Sequence, residues 1–186
     1  GILNAISKPL VSNQELVSDN TLKNCHTKQS FIWQGLTFTM LSPLAPEHSN
    51  EAFNQGKQKN DDSCVILITD QLGHTLLLTG DISSKIEQQL LIRYPQLKAN
   101  ILQVPHHGSK TSSGQAFIEQ LSLQVAVVSA GYLNRWRMPV TAVSERYRAN
   151  NISLLNSAEL GQVIITINEN GIIKRSYVED LRPFWF

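Results

Sequence analysis

The hydrophobic positions of this chain fall into two patterns. Between residues 31 and 41, apolar side chains alternate with threonines around Gln34-Gly35, which predicts an antiparallel hairpin. From residue 64 onward, short apolar runs alternate with segments of helical periodicity. The predicted strands cover residues 64–70, 75–79, 101–104, 125–130, 152–155, 163–167 and 172–177, and the predicted helices cover residues 84–94, 115–121 and 141–149. This alternation predicts an α/β fold with an antiparallel part.

Local signals add detail near the ends of these elements. Ser84 and Glu87 have the spacing of a capping box, so we expect Glu87 to close the start of the first long helix. A short helix ending near Pro9 and a strand over residues 15–18 are predicted before the hairpin. Residues 43–61 are rich in Pro, Asn, Gln and charged side chains, which predicts an exposed loop.

Two of the apolar runs end abruptly in residues that can bind metal. The run LLLTGD ends at Asp81, and the run ILQVPHHGS ends in His106 and His107. Open α/β folds place their ligand sites at the carboxyl ends of strands. Carboxylate and imidazole are ordinary ligands of zinc, manganese and iron. We therefore predict half of a metal site here, with the side chains of Asp81 and one of the two histidines converging within about 6 Å.

Composition narrows the class of protein but not its function. The chain has 186 residues, of which 41% are hydrophobic and 17% are charged, which is typical of one globular domain. A net charge of +1 gives no general attraction to nucleic acid or membranes, so any contact with DNA must come from a local patch. No apolar run is long enough to span a bilayer, and no signal peptide is visible. The first residue is not methionine, so we expect a fragment of a longer protein.

Three motifs together resemble a known family. LLLTGD, then VPHHGSKTSS about twenty residues later, then VAVVSAGYLNRW, resemble the C-terminal metallo-β-lactamase-like domain of the ComEC/Rec2 DNA-uptake channel proteins. The resemblance covers about residues 31–166. It implies that residues 1–186 form a single metallo-β-lactamase-like domain, an αββα sandwich. The sandwich would be incomplete at the N-terminus, because its first strands and the His-x-His-x-Asp-His motif are absent.

The resemblance also implies roles for the strand-end residues. Asp81 is similar to the family residue that binds or bridges the metals. Adjacent residues at a strand end point in opposite directions, so only one histidine is expected to bind metal. The family pattern places the ligand before a small residue, which selects His107, followed by Gly108. His106 would orient a ligand or meet the substrate, and the alternative is a purely structural histidine pair.

Other residues are candidates for holding the substrate. Ser109 and Lys110 begin a hydroxyl-rich basic loop that could hold phosphate, although a solvated loop capping a helix explains them as well. Arg135 and Arg137 flank Trp136, a combination that could grip a phosphodiester and stack a base. The alternative is a surface loop with cation–π packing. If the protein handles DNA, these charged side chains should share a rim with the metal site, with Trp136 partly exposed.

Two departures from the family pattern count against a complete site. Many family members carry a histidine before the proline at position 139, and here the residue is Met138, whose thioether is a poor ligand for hard divalent ions. The His-x-His-x-Asp-His motif appears nowhere. The polar segment Asn60-Asp61-Asp62-Ser63 could replace a histidine ligand, or it could be an ordinary turn. The metal would be Zn²⁺ or Mn²⁺ in the intact domain, and the fragment alone is expected to bind it weakly or not at all.

The cysteines leave two possibilities. Cys25 and Cys64 lack Cys-x-x-Cys spacing, so they are either two separate buried thiols or one disulfide, which requires an oxidising compartment. The family resemblance implies a soluble domain of an inner-membrane protein on its periplasmic face. That location favours the disulfide.

The resemblance implies a metal-dependent nuclease that acts on DNA during uptake, with two metals making hydroxide and holding the phosphate. The expected partners are DNA, single-stranded or duplex, and the rest of a membrane channel, with no lipid contact by this segment. One alternative is a non-catalytic module that binds DNA or a partner protein at the channel mouth. Another is a metallo-hydrolase of a different ester or phosphodiester, because a fold does not determine a substrate.

Overall fold

A seven-stranded mixed sheet organises the structure, a computed structural model that describes residues 25–27, 29–43 and 60–181. The strands follow one another in chain order across the sheet. They are β1 Ser30–Trp33, β2 Leu36–Ser42, β3 Val65–Thr69, β4 Thr75–Leu78, β5 Ile101–Gln103, β6 Val125–Val128 and β7 Ser153–Asn156. Neighbours from β1 to β4 pair antiparallel, and neighbours from β4 to β7 pair parallel. The carboxyl ends of four strands therefore meet at one edge.

Helices join the parallel strands, as the alternating sequence pattern predicts. They are α1 Ser84–Arg93, α2 Gln115–Leu121 and α3 Thr141–Ala149, followed after β7 by the short α4 Ser157–Leu160. A second sheet contains the hairpin β8 Val163–Asn168 and β9 Gly171–Ser176, and a π-helical turn, Tyr177–Leu181, follows it. None of the helices in the described ranges is long and apolar enough to cross a lipid bilayer.

The core lies between the parallel strands and their helices. The strands contribute Leu77, Leu102 and Ala126, which are fully buried. The helices contribute further buried side chains to the same cluster: Leu90, Phe117, Ile118, Leu121, Val143 and Tyr147. Burying a large apolar side chain stabilises a protein by about 1.5–3 kcal/mol, so this layer fixes the positions of the strand ends above it.

The structure confirms a mixed α/β fold, while the full αββα sandwich stays a prediction. Within the described ranges, the second sheet has only the two strands β8 and β9. The predicted helix near Pro9, the predicted strand over residues 15–18 and most of the predicted loop over residues 43–61 lie outside the described residues.

Cys25 and Cys64 form a disulfide, with their Cα atoms 5.9 Å apart. The bond joins the segment before β1 to the start of β3, across 39 positions of sequence. Closing a loop of that length removes freedom from the unfolded chain, which stabilises the fold by about 3–4 kcal/mol on the loop-entropy account. It also ties the segment before the antiparallel strands to the turn that carries Asn60–Asp62.

Candidate metal-binding strand edge

The two histidines lie in a left-handed turn after β5. His106 has φ 49° and ψ 43°, and His107 has φ 55° and ψ 20°. Left-handed backbone costs an L-residue about 1–2 kcal/mol, so two consecutive histidines adopt it only where surrounding contacts hold them. The two side chains do have different partners, as expected, but the expected reason, strand alternation, was wrong because neither residue is extended. The turn itself sends them to different partners.

Asp81 is held beside this turn by backbone contacts. The Gly80 carbonyl accepts a hydrogen bond from the His106 N–H at 3.1 Å, and the Asp81 N–H donates to Ser63 Oγ at 3.2 Å. Gly80 has φ 57°, and a Cβ on it would lie 2.8 Å from the Ser63 Cβ, so only glycine fits. The segment before β3 therefore packs directly against both strand ends.

Gln103 is a residue that the sequence interpretation missed. Its Oε1 accepts hydrogen bonds from the Thr79 and Gly80 N–H groups, both at 3.0 Å. The Thr79 hydroxyl donates back to the Gln103 carbonyl at 2.8 Å. These bonds join the ends of β4 and β5. They therefore fix the position of Asp81 relative to the turn that carries His106 and His107. The sequence did contain a signal for this role, because Gln103 is the one polar residue in the apolar run Ile-Leu-Gln-Val.

The side chains of Asp81 and His107 converge, as the sequence predicted. Asp81 Oδ1 lies 3.7 Å from His107 Nε2, and both side chains are partly exposed. His107 Nδ1 donates to the Ser129 carbonyl at 2.6 Å, and Nε2, the nitrogen that could bind a metal, faces the carboxylate. Two ligands on one tetrahedral ion, with bonds of about 2.1 Å, stand roughly 3.4 Å apart. The pair therefore fits two positions in the ligand set of a divalent ion.

His106 has a different partner. Its Nε2 accepts a hydrogen bond from Asn60 Nδ2 at 3.2 Å, and Asn60 belongs to the 3-10 turn Asn60–Asp62. In the same segment, Asp61 Oδ1 accepts from the Ser83 N–H at 2.9 Å. The polar segment before β3 is thus an organised part of this edge. A role in binding metal stays a prediction for it.

The ligand set is incomplete in the part of the chain that the structure describes. No group of three or more His, Cys, Asp or Glu side chains able to hold a metal ion occurs among those residues. Asp81 and His107 would need further ligands from elsewhere.

The serine-rich loop after His107 is structural at its base. Ser109 is buried, and its hydroxyl bonds to Thr111 Oγ1 at 2.8 Å. Ser112 is also buried and donates from its hydroxyl to the Pro105 carbonyl at 2.8 Å. Ser109 is thus placed to shape the loop, and Lys110 is the exposed side chain beside it. Phosphate binding stays a prediction for both residues.

A buried carboxylate supports the same loop from below. Glu87 accepts hydrogen bonds from the Ser113 N–H at 2.6 Å and the Gly114 N–H at 2.8 Å. Burial raises the pKa of Glu87 above its ordinary value, although these two bonds and nearby Arg146 act in the opposite direction. Arg146 donates to the Ser113 carbonyl at 2.9 Å. The predicted capping box was wrong, because Glu87 points into the protein and fastens the start of α2.

The loop after β6 covers the histidine turn from the other side. The Val140 N–H donates to the Gly108 carbonyl at 3.0 Å. A Cβ on Gly108 would lie 2.6 Å from the Pro139 Cβ, so the backbone of Gly108 packs directly against the ring of Pro139. Arg135 lies over the Trp136 ring at 4.1 Å, and Trp136 is 61% exposed. The predicted exposure of Trp136 is confirmed, as is the cation–π packing weighed as its alternative.

Comparison with known proteins shows the family. A protein of Escherichia coli strain K12 described as uncharacterized protein YcaI is 36% identical over 163 residues, which are 87% of this chain and 20% of that protein. Recombination protein 2 of Haemophilus influenzae is 37% identical over 139 residues, or 75% of this chain and 16% of that protein. ComE operon protein 3 of Bacillus subtilis is 34% identical over 128 residues, or 69% of this chain and 15% of that protein. The chain belongs to the ComEC/Rec2 family.

Membership in the ComEC/Rec2 family comes from these relatives alone, since no protein-family model matches the chain. The chain spans about a fifth or less of the length of each of these relatives. Met138 occupies a half-buried position in this ComEC/Rec2 chain, with its N–H donating to Asn134 Oδ1 at 2.9 Å. The thioether of Met138 is a poor ligand for a hard metal ion.

Proposed function

We propose that this chain forms part of a metal-dependent phosphodiesterase that cleaves DNA during uptake. The observation that carries the proposal is the pair Asp81–His107, with His107 Nε2 turned toward the carboxylate by the bond from Nδ1 to Ser129. A strained two-histidine turn, held by contacts on both sides, also supports a functional site at this edge. The relative named recombination protein 2 makes DNA the proposed substrate.

Each side chain has a definite role in the proposal. Asp81 and His107 would hold a Zn²⁺ or Mn²⁺ ion together with ligands from outside the described residues. When bound, the metal supplies Lewis acidity and a water of lowered pKa. His106, tied to Asn60, keeps the histidine turn in its left-handed form. Lys110 is exposed beside the turn and would attract the phosphate backbone.

The location of the domain is also proposed. The disulfide Cys25–Cys64 supports an oxidising compartment, which for an inner-membrane channel protein means its periplasmic side. We propose that residues 1–186 act there as one domain, next to the rest of the channel and without lipid contact. The metallo-β-lactamase-like αββα sandwich would then be completed by residues outside the described part.

Cleavage by the intact protein tests the proposal. Asp81→Ala and His107→Ala should each lower the rate of Mn²⁺- or Zn²⁺-dependent DNA cleavage by more than about a hundredfold, because changing mere partners of metal ligands already costs 10–100-fold. The rate is measured on a labelled oligonucleotide with metal added back after EDTA. Asp70→Ala and His74→Ala are matched controls. These residues form a second Asp–His pair, 2.9 Å apart, in the turn before β4, whereas Asp81 lies after the end of β4. Equal losses in all four variants would contradict the proposal.

A second candidate is a non-catalytic module that binds DNA or a partner protein at the channel mouth. Met138 and the absence of a third ligand among the described residues favour it. The same assay separates the two functions. A binding module would bind DNA without cleaving it when metal is added, and Asp81→Ala would leave its affinity for DNA unchanged. Cleavage of a different ester in place of DNA would identify another metallo-hydrolase.

A further inference from the structure

We propose that residues 131–137, here called the double-turn loop, bind single-stranded DNA in preference to duplex by stacking unpaired bases on Trp136 and Tyr132. The inference rests on the proposed function, because it names the form of the DNA that this edge receives. It concerns binding alone, so it can fail or hold independently of cleavage.

The double-turn loop consists of two consecutive tight turns that share one corner. The Asn134 N–H donates to the Gly131 carbonyl at 3.3 Å, and the Arg137 N–H donates to the Asn134 carbonyl at 2.9 Å. The Asn134 amide also donates to the Gly131 carbonyl at 3.1 Å and to the Met138 carbonyl at 2.7 Å. One side chain thus fixes both turns. Their tips are held in place before any ligand arrives.

The tips carry large side chains that the described part of the chain leaves uncovered. Tyr132 and Leu133, at the first tip, are 79% and 83% exposed, and Trp136, at the second, is 61% exposed. Leu133 has φ 53°, a left-handed conformation that turns the first tip outward. Holding apolar rings in water on a rigid support gains nothing for folding. Such rings are suited to a ligand that has flat faces of its own.

The charge of the loop fits a polyanion. Arg135 lies over the Trp136 ring at 4.1 Å, and Arg137 is exposed one residue further along. No Asp or Glu occurs in the sequence between Glu119 and Glu145. One face of Trp136 meets a guanidinium, and nothing of opposite charge within the loop neutralises the arginines. Aromatic faces beside arginines, in a loop without carboxylates, are the combination that grips single strands.

The loop stands next to the proposed metal pair. Pro139 packs on Gly108, which directly follows His107, and the Val140 N–H bonds to the Gly108 carbonyl. At the other end of the loop, the Ser129 carbonyl accepts from His107 Nδ1. Both ends are therefore joined to the histidine turn. DNA on the double-turn loop would lie beside the residues proposed to cleave it.

Single strands are favoured over duplex by the chemistry of the contacts. In a duplex the base faces are stacked on one another, so Trp136 and Tyr132 could reach only backbone or groove. Unpaired bases expose their faces, and stacking on an aromatic ring contributes about 1–3 kcal/mol per base whatever the sequence. A lipid surface could also bind Tyr132, Leu133 and Trp136. DNA is the better ligand, because the loop is joined to His107 and a lipid would have no role at the proposed cleavage site.

Fluorescence anisotropy of the intact protein with a labelled oligothymidylate and with a labelled duplex, both in EDTA, tests the inference. Trp136→Ala should weaken single-strand binding about tenfold and leave duplex binding nearly unchanged. Trp136→Phe should restore most of the loss, because phenylalanine keeps a stacking face. Arg135→Ala should lower the salt dependence of single-strand affinity by a slope of about 0.7.

A matched control is present in the fold. Arg93 lies over the neighbouring Tyr94 ring at 5.9 Å, at the far end of α1, so Arg93→Ala removes a similar pair remote from the site. It should leave both affinities unchanged. Equal weakening of single-strand and duplex binding by Trp136→Ala would overturn the inference. So would unchanged DNA binding together with lost binding to phosphatidylglycerol vesicles. Because EDTA stops cleavage, these outcomes are independent of the effect of Asp81→Ala on hydrolysis.

Discussion

Gly108→Ala should lower the free energy of unfolding by about 3 kcal/mol, the sum of two costs. Gly108 has φ 77°, which strains an alanine by about 1–2 kcal/mol. The added Cβ would also lie 2.6 Å from the Pro139 Cβ and 3.0 Å from its Cα, so ring and backbone must move apart. Because Gly108 follows His107, this movement should also reduce DNA cleavage. Urea unfolding followed by tryptophan fluorescence measures the stability.

Gly73→Ala separates the two costs. Gly73 has φ 85°, but nothing lies within 4 Å of the position that its Cβ would take. This control variant should lose only about 1 kcal/mol, from backbone strain alone. If the two variants lose the same stability, the contact of Gly108 with Pro139 contributes nothing, and the loop after β6 does not support the histidine turn.

Glu87→Ala should be the more damaging change, with a loss of about 4 kcal/mol. It leaves the Ser113 and Gly114 N–H groups without their acceptor and removes the carboxylate facing Arg146. Each buried donor left unpaired costs about 1–3 kcal/mol. Glu87→Gln keeps the shape and one acceptor oxygen, so it should lose less. Thermal or urea unfolding of the three proteins at one pH gives the comparison.

The pH dependence of stability gives an independent check on Glu87. Burial raises its pKa above the ordinary 4.5, so the folded protein holds this proton more tightly than the unfolded chain does. Its contribution is therefore fully present below pH 4.5 and is lost as the pH rises through the folded-state pKa. As the pH rises from 4.5 through the folded-state pKa of Glu87, wild type should lose stability relative to Glu87→Gln. A gain over the same interval would mean that the pKa of Glu87 is lowered.

Much of the fold follows from local pattern. Helices α2 and α3 begin and end where their periodicity and the surrounding Gly, Pro and polar residues predict, and the turn at Gln34-Gly35 forms as expected. Such signals act over a few residues, so a single sequence carries them. The core strands were predicted for the same reason, since each is a short apolar run bounded by turn residues.

The site could be predicted only in part. The motifs identified Asp81 and His107, because strand ends in a parallel sheet share an edge. The left-handed turn at His106 and His107 was missed, since histidine has only a weak preference for that backbone, and contacts from two distant segments hold it. Glu87 was misassigned because its partners lie 26 and 27 residues away in sequence. Local spacing cannot show tertiary partners of this kind.

Binding of Mn²⁺ to the intact protein, followed by electron paramagnetic resonance of the free ion, shows whether Asp81 and His107 hold a metal. Wild type and Asp70→Ala should bind Mn²⁺ equally. Asp81→Ala and His107→Ala should weaken binding by more than about a hundredfold, because each removes a ligand. Mn²⁺ affinity that is the same in all four proteins would contradict the claim that Asp81 and His107 hold a metal.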